Sequence, residues 1–404
     1  MPAIRTALVI GGGIAGPVTA TALARAGIRA TVHEAYPEVS NGIGSALALA
    51  PNGLAALDIL GAGDAVRAAG LPITESSMSI GGRTVPVPAP EGLEPLRMID
   101  RGRLHGALHD TARAAGVRYE FGRQLVSVDE YPDRVTARFA DGSQATADIL
   151  IGADGVRSTV RRIIDPGAPD AGSTGLLGFG ALVDADIPGG PGTMTFAFGR
   201  RAYYLYWKTV DGRTAWGVNL PSADHLSLRQ AREIPAGEWL ARIRETYRGD
   251  EPGEALAHAT TARTLEVLGA IHIMPPVPHW YRDRLVLVGD AVHAPSNSTG
   301  QGASLAIESS IELARCLRDL PDPAAAFEEY ERLRRDRVER ITRRGARMNH
   351  TKTPGPVGRG LLRFLMPLAI RAMSPERTQG WIQRHRIDWD ARVRPLSAEA
   401  GTPD

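Results

Sequence analysis

The hydrophobic pattern of the first 35 residues predicts a strand, a helix and a second strand. Residues 6–10 form an apolar β-rich run, residues 14–26 carry helical composition, and "RATVHEA" at 29–35 reads as a strand. Such a β-α-β unit opens a parallel sheet. Between 72 and 98, "PITESSMSIGGRTVPVPAPEGLEPLRM" turns Thr/Ser/Val-rich with Gly-Gly and Pro punctuation, as a hairpin does, and "RGRLHGALHDTARAAG" then resumes a helix. Strand-like segments at 119–131, 134–143 and 146–155 follow, and a helix is expected from about Ser158. From about 170 to 275 the pattern is mostly alternating, including "GTMTFAFG", "AYYLYWKTV" and "TAWGVNL", with one helix expected at about 226–248. The stretch 284–310, "RLVLVGDAVHAPSNSTGQGASLAIESS", is a buried-strand run that ends on an aspartate and breaks into a Gly/Ser/Pro loop before a helical pattern. A long charged helix comes next, with Asp322 as its N-cap and Pro323 at the first helical position. The apolar run "LLRFLMPLAIRAM" at 361–373 is short, Pro-interrupted and carries two arginines, so it reads as a packing or lid helix rather than a membrane contact. The tail beyond about 392 is expected to fray.

Composition narrows the class. A chain of 404 residues exceeds one small core, and 47 basic against 45 acidic residues give no field for nucleic acid. Cys316 is the only cysteine, which excludes a disulfide framework or thiolate metal site within one chain and implies a reducing, cytoplasmic setting. The N-terminal run "ALVIGGGIAG" lacks a signal-peptide pattern, and no stretch approaches the roughly 18 to 20 apolar residues of a spanning helix. A soluble chain without stable membrane insertion is expected; its oligomeric state is not legible.

"GGGIAG" supplies Gly11, Gly13 and Gly16 in G-x-G-x-x-G spacing between a strand and a helix. The first glycine permits the tight turn, the second lets the backbone approach a pyrophosphate, and the third lets helix pack on strand. The helix N-terminus, with Ile14 and Ala15, offers N–H donors to the anion. Glu34 closes the second strand 18 residues past Gly16, where a carboxylate can accept from both hydroxyls of an adenosine ribose and would repel a 2'-phosphate. Ala35 follows it as a further contact. These residues bind a dinucleotide without distinguishing NAD from FAD.

The late stretch does distinguish them. "LVLVGDAVHAPSNSTGQGAS" resembles the GD segment of the FAD-dependent aromatic hydroxylases, the p-hydroxybenzoate hydroxylase-like, single-component class A flavin monooxygenases. The resemblance implies that Asp290 hydrogen-bonds the ribityl chain of non-covalent FAD. It also implies that the loop from Gly300 through Gly302, Ala303 and Ser304 presents backbone N–H groups to the flavin's pyrimidine edge, with Pro295 on the floor beside the ring. "ADILIGADGVRSTVRR" is similar to the family's DG motif, with Asp148, Gly152, Asp154, Gly155, Ser158 and Arg161 in its positions; that motif is associated with FAD and with transient NAD(P)H. "DRGRL" matches the family's Arg-x-x-Leu and makes Arg101 a candidate contact to the phosphates or ribityl chain, Leu125 is a further cofactor candidate, and "ALAPNGLAAL" resembles the Pro-Asn segment near the flavin.

The implied fold is α/β: a Rossmann-like FAD-binding domain with an inserted antiparallel β-sheet substrate domain and a C-terminal helical segment. The expected division is 1–72, 98–165 and 276–320 for FAD, 73–97 and 166–275 for substrate, and 321–404 for the long helix and a helical cap. The implied activity is a monooxygenase in which NAD(P)H reduces FAD, reduced flavin captures O2 as a C4a-hydroperoxide, and the distal oxygen passes to an aromatic or polycyclic small molecule, with an intermediate of secondary metabolism as one candidate. Without a second G-x-G-x-x-G, NAD(P)H has no Rossmann domain of its own and visits transiently. A reductase or dehydrogenase without oxygen activation and a flavin halogenase are the alternatives, the latter lacking its Trp-x-Trp-x-Ile-Pro signature here.

Two departures stand out: Ser309 where many members carry aspartate, and Val292 in place of the commoner alanine. No catalytic side chain is required, because the cofactor carries the chemistry. His293 reads either as a loop hydrogen bond or as a general base near a substrate hydroxyl. Phe196, Tyr206 and Trp216 are the candidate substrate contacts within an aromatic cluster, although strand alternation puts half such rings on each face. Trp280 reads as packing, and His272 and His279 lack the neighbours of a metal site.

Overall fold

The computed structural model describes residues 4–38, 46–222, 226–351 and 374–394. The apolar run at 361–373 lies outside the described residues, as does the tail expected to fray beyond about 392 except for residues 393 and 394, of which Val393 is buried and donates its N–H to Asp319.

The chain opens with β1 (Thr6–Ile10), α1 (Ala15–Arg25) and β2 (Arg29–Glu34). It continues through β3 (Ala46–Leu49), α2 (Pro51–Ile59), α3 (Gly63–Ala69), β4 (Leu71–Pro72), the hairpin β5 (Glu75–Ile80) and β6 (Arg83–Pro86), and β7 (Arg97–Asp100). Next come α4 (Arg101–Ala114), β8 (Arg118–Phe121), β9 (Leu125–Glu130), β10 (Val135–Phe139), β11 (Gln144–Ala147), β12 (Ile149–Gly152) and α5 (Thr159–Ile164). The long excursion is β13 (Gly172–Val183), β14 (Thr193–Phe198), β15 (Tyr203–Lys208), β16 (Thr214–Pro221), α6 (Leu228–Glu233), α7 (Ala236–Tyr247), α8 (Gly253–Ala259) and β17 (Leu265–Ile273). The chain returns as β18 (Tyr281–Arg282), β19 (Leu285–Leu287), α9 (Gly302–Asp319) and α10 (Pro323–Thr351).

The return explains the late glycine loop. β19 pairs in parallel with β12, Ile151 opposite Val286, in a sheet of order β18-β19-β12-β1-β2-β8. Apart from β18 its strands run parallel. Val9, Val32, Ile149, Leu150, Val286 and Leu287 are fully buried there. A sheet covered on both faces needs continuous apolar runs, which is why these strands lack the alternation seen elsewhere.

The excursion forms a seven-stranded sheet, β17-β13-β16-β15-β14-β5-β6, antiparallel except where β14 runs beside β5. The early hairpin thus joins strands that follow it by more than ninety residues. One face packs on α6–α8 through Phe179, Tyr204, Trp216, Trp239, Ile243 and Tyr247. The other carries Met194, Trp207 and Ala215, which cluster with Ile73 and Met98.

The single helix expected at 226–248 is two. Ile234 is extended (φ −73°, ψ 130°) and Pro235 starts the second, because proline lacks an N–H and disfavours the helical conformation in the residue before it. The sequence reading also missed α8, which lies beyond the expected helix in the stretch read as strands. Asp322 does cap α10, its Oδ2 accepting from the Ala325 N–H at 3.2 Å. No helix among the described residues is long and apolar enough to cross a membrane.

Candidate active site

The three fingerprint glycines have three distinct spatial reasons. Gly11 is left-handed (φ +102°), and a Cβ there would lie 2.5 Å from the Ala153 carbonyl oxygen, where β1 and β12 end side by side. A Cβ on Gly16 would lie 1.9 Å from the Gly11 carbonyl oxygen, so α1 seats on the end of β1 only through glycine. A Cβ on Gly13 would meet nothing within 4 Å. Gly13, Ile14 and Ala15 line a large cavity, and α1 has no capping side chain, so its first-turn N–H groups are left for another acceptor.

Glu34 clamps the same loop. Its Oε2 accepts from the Gly12 N–H at 2.6 Å and its Oε1 from the Tyr36 N–H at 2.9 Å. A carboxylate has about four acceptor positions, so a ribose hydroxyl is still accommodated. Ala35 is exposed at the end of β2, whereas Leu125 sits in the core at 6% exposure and does not line the cavity.

The late loop supplies the other end of the floor. Asp290, Pro295, Gly300, Gly302 and Ala303 line the cavity, as does Arg101 at the start of α4. The Asp290 carboxylate accepts no hydrogen bond from any described residue; surrounding protein pushes its pKa above the usual carboxylate range, and the Arg101 guanidinium pulls it back. Gln301 precedes α9 without a capping side chain, which leaves the first-turn N–H groups of that helix free of side-chain acceptors. The Ser304 hydroxyl turns away, accepting from the Ala50 N–H at 3.2 Å. Asn52, in the Pro-Asn segment, is buried below the loop and donates to the Gln301 Oε1 at 3.0 Å.

The DG motif contributes mainly scaffolding. Asp154 accepts from the Ser158 hydroxyl at 2.5 Å and from the N–H groups of Thr159 and Val160, holding the start of α5. Its neighbours Ala153, Gly155 and Val156 line the cavity. Arg161 is 1% exposed and donates to the carbonyls of Ala291 and Val156, tying the two aspartate-bearing turns together. Asp148 accepts from the N–H groups of Arg5 and Thr6, fixing β1 against β12.

The roof is the open face of the seven-stranded sheet. Met194, Phe196, Phe198, Tyr203, Leu205 and Trp207 line it. Of the three rings expected to contact substrate, Phe196 is there. Tyr206 and Trp216 are opposite each other in register and turn to the helical face, where Tyr206 stacks on Tyr204 and the Trp216 Nε1–H donates to the Thr260 hydroxyl. Trp216 still borders the cavity, but its indole packs on the helical face, since the odd-numbered residues of β15 and the even-numbered residues of β14 take the cavity face.

His293 does not reach the cavity. It is 3% exposed, its Nε2 pairs with the Ser309 hydroxyl at 2.9 Å, and burial lowers its pKa to about 3. The general-base reading is therefore discarded in favour of the loop hydrogen bond. Ser309 has a role here, since Arg334 also donates to it at 3.2 Å, and Val292 belongs to the core. Trp280 is packing, 1% exposed with the Arg335 guanidinium over its ring.

The cavity measures about 1430 Å³, beyond the roughly 300–1,000 Å³ of a single-ligand pocket, so it can hold a cofactor end and a substrate together. The residues fit FAD: an open glycine cradle under free helix N–H groups, an unpartnered carboxylate for a polyol, and a second uncapped helix start. Sequence reasoning missed one wall, made by Arg344 of α10 with Thr378, Gln379, Ile382 and Gln383. The only signal was Gly345, a glycine inside a long charged helix. His272, weighed only as a metal ligand, also lines the cavity.

Comparison with known proteins agrees. Residues 5–190 and 257–345 match the FAD binding domain family. The chain is 31% identical over 359 residues to the FAD-dependent urate hydroxylase of Klebsiella pneumoniae subsp. pneumoniae, covering 82% of this chain and 86% of that protein. It is 30% identical over 368 residues to the 3-hydroxybenzoate 6-hydroxylase of Klebsiella oxytoca, covering 87% and 90%. The Klebsiella pneumoniae HpxO structure with FAD and uric acid superposes with a TM-score of 0.81 at 27% identity, over 94% of this chain and 96% of that one. The chain belongs to the FAD-binding family of class A flavin monooxygenases, and its cofactor is FAD.

Proposed function

We propose that the chain is an NAD(P)H-consuming monooxygenase that places one oxygen atom of O2 on an aromatic or polycyclic, largely apolar small molecule. One observation carries this reading: a single cavity runs from the cofactor residues Gly13, Asp290 and Gly302 to the apolar roof of Met194, Phe196, Leu205 and Trp207. The relatives named above include hydroxylases of urate and of 3-hydroxybenzoate, both ring compounds, which supports a ring substrate.

When bound, FAD supplies the redox chemistry, accepting a hydride from NAD(P)H and activating O2. The chain's part is to bind, orient and keep dry. The first turn of α1 and the open face of Gly13 take the pyrophosphate, Asp290 takes the ribityl hydroxyls, and the first turn of α9 takes the pyrimidine edge of the ring. The roof packs a flat substrate against that ring and excludes water. NAD(P)H visits the same cavity, since "GGGIAG" is used for FAD and no second glycine fingerprint exists.

The test is ring-compound-dependent NAD(P)H oxidation in labelled O2. One labelled oxygen atom in the organic product is expected. Turnover with no label in the product would make the protein a reductase or dehydrogenase, and halide in its place a halogenase.

A further inference from the structure

We infer that Arg344 is the receptor for an anionic group of the substrate, so that the ring compound taken by this cavity is an acid. The inference rests on the monooxygenase reading and names the substrate class of the same site.

Arg344 differs from the other buried and half-buried arginines of its helix. Arg334 and Arg337 pair with Glu308, and Arg335 with Glu331 and Glu339. Arg340 lies over the Trp381 ring, and Arg343 donates to the Glu339 carbonyl. Arg344 is half-buried, lines the cavity, and has no acidic or hydrogen-bonding partner among the described residues. Its neighbours on that wall are neutral: Thr378, Gln379, Gln383 and Ile382. Gln383 donates to the Gln379 Oε1 at 3.0 Å, so that pair does not answer the charge. A cation withdrawn from water without a partner is unfavourable, and an entering anion relieves it. Desolvation alone lowers the Arg344 pKa, in keeping with that environment.

The position of Arg344 selects substrate over cofactor. A Cβ on Gly345 would lie 2.4 Å from the Thr299 Cγ2 and 3.4 Å from the Ser296 Cβ, so α10 touches the 296–299 turn, and Arg344, the residue before Gly345, lines the same cavity as Thr299 and Gly300. That is the ring end of the cavity. The phosphates of FAD belong at the opposite end, with Gly13 and Arg101, and the pyrimidine edge already has the first turn of α9. FAD therefore brings no anion to Arg344, and a titration run without NAD(P)H reads only an anion that the ring compound brings. A guanidinium presents a planar fork to a carboxylate, which favours an aromatic carboxylic acid over a phenolate.

The experiment titrates FAD-loaded protein with hydroxybenzoates and hydroxynaphthoates, each against its neutral carboxamide, and reads the flavin absorbance change. Wild type is expected to prefer at least one acid over its amide by about ten- to hundredfold, the range of a charge-assisted hydrogen bond. In R344Q the preference disappears, amide affinity stays within about twofold, and FAD retention is unchanged; R344K restores part of the preference. A wild type that binds every acid no tighter than its amide overturns the inference, as does a preference that survives in R344Q. Loss of FAD from R344Q also overturns it, by assigning Arg344 to the cofactor. Label incorporation from O2 judges the monooxygenase reading separately, and is indifferent to the acid preference.

Discussion

Arg334 donates to the Oε2 of Glu308 at 2.7 Å, with both side chains only 1% exposed. Arg337 grips the same carboxylate, Nε to Oε2 and Nη2 to Oε1, each at 2.9 Å. Asn52 donates to its Oε1 at 2.7 Å and to Gln301, the residue before α9. Arg337 also donates to the Ile382 carbonyl at 2.8 Å. One buried carboxylate therefore joins the cofactor loop, α10 and the cavity wall.

Replacing Glu308 by Gln leaves two buried guanidinium groups without their counter-charge. A loss of about 3–5 kcal/mol is expected, measured by denaturant unfolding of the FAD-loaded protein. Burial opposes the Glu308 charge, but Arg334 and Arg337 override it and hold the pKa at about 2. A depressed carboxylate contributes stability that is present above its ordinary value of 4.5 and lost as pH falls through about 2. That acid limb should be missing from the Glu308→Gln protein.

Acid sensitivity begins earlier, with histidines. His33 is stacked on Phe139 with both ring nitrogens unpaired, and burial lowers its pKa to about 4, as it does for His385. Such a ring is neutral in the fold and protonated in the unfolded chain, so stability falls as pH drops from 6.5 to about 4. The loss is roughly 3 kcal/mol for each. His33→Leu, which leaves no unpaired nitrogen, should make the fall of the unfolding midpoint between pH 6.5 and 4 shallower, with His385 and His293 still contributing, without lowering stability at pH 7. A slope unchanged in that variant would contradict the assignment.

How much of this was legible follows from which physical rule each residue obeys. The cofactor half was readable because glycine positions, a strand-ending carboxylate and a helix start are local: Gly11, Gly13 and Gly16 form the strand-to-helix turn their spacing implies, while Asp290 came from the family resemblance and lines the cavity. The substrate half was not, because a strand's period of two gives two faces without saying which is inside. Tyr206 and Trp216 went to the helical face through their register with β16 and β15, a long-range fact. Arg344 was invisible for a similar reason, since one arginine among many on a charged helix is marked only by what it lacks. His293 and Ser309 were ambiguous singly and explained as a pair, sixteen residues apart but 2.9 Å across.

The two faces can be told apart by mutation. Phe196→Ala removes a roof ring and should raise the KM of the ring substrate by about tenfold and increase NAD(P)H oxidation without oxygen transfer. Tyr206→Phe changes only the helical face and should leave both quantities as in wild type. Product analysis beside NAD(P)H consumption separates the two outcomes.

Asp290 carries the ribityl assignment. No described residue hydrogen-bonds its carboxylate, which faces the cavity and is left for a polyol to meet. Asp290→Ala should release FAD about ten- to hundredfold more readily on dilution, as read by recovery of free flavin fluorescence. Retention equal to wild type would remove it from the site.

Gly13 and Gly16 offer the sharpest separation of fold from cofactor. A Cβ on Gly16 falls 1.9 Å from the Gly11 carbonyl oxygen, a backbone atom that cannot rotate away, so Gly16→Ala must push α1 off β1 and should destabilise the protein even without FAD. A Cβ on Gly13 meets no protein atom within 4 Å. Gly13→Ala should therefore fold with the thermal midpoint of the wild-type apoprotein, yet bind FAD more weakly, because the added methyl occupies the space a pyrophosphate needs to reach the helix N–H groups. The diagnostic quantity is the gain in midpoint on adding FAD, large in wild type and small in Gly13→Ala. An undiminished gain would mean that the phosphates do not pass over Gly13.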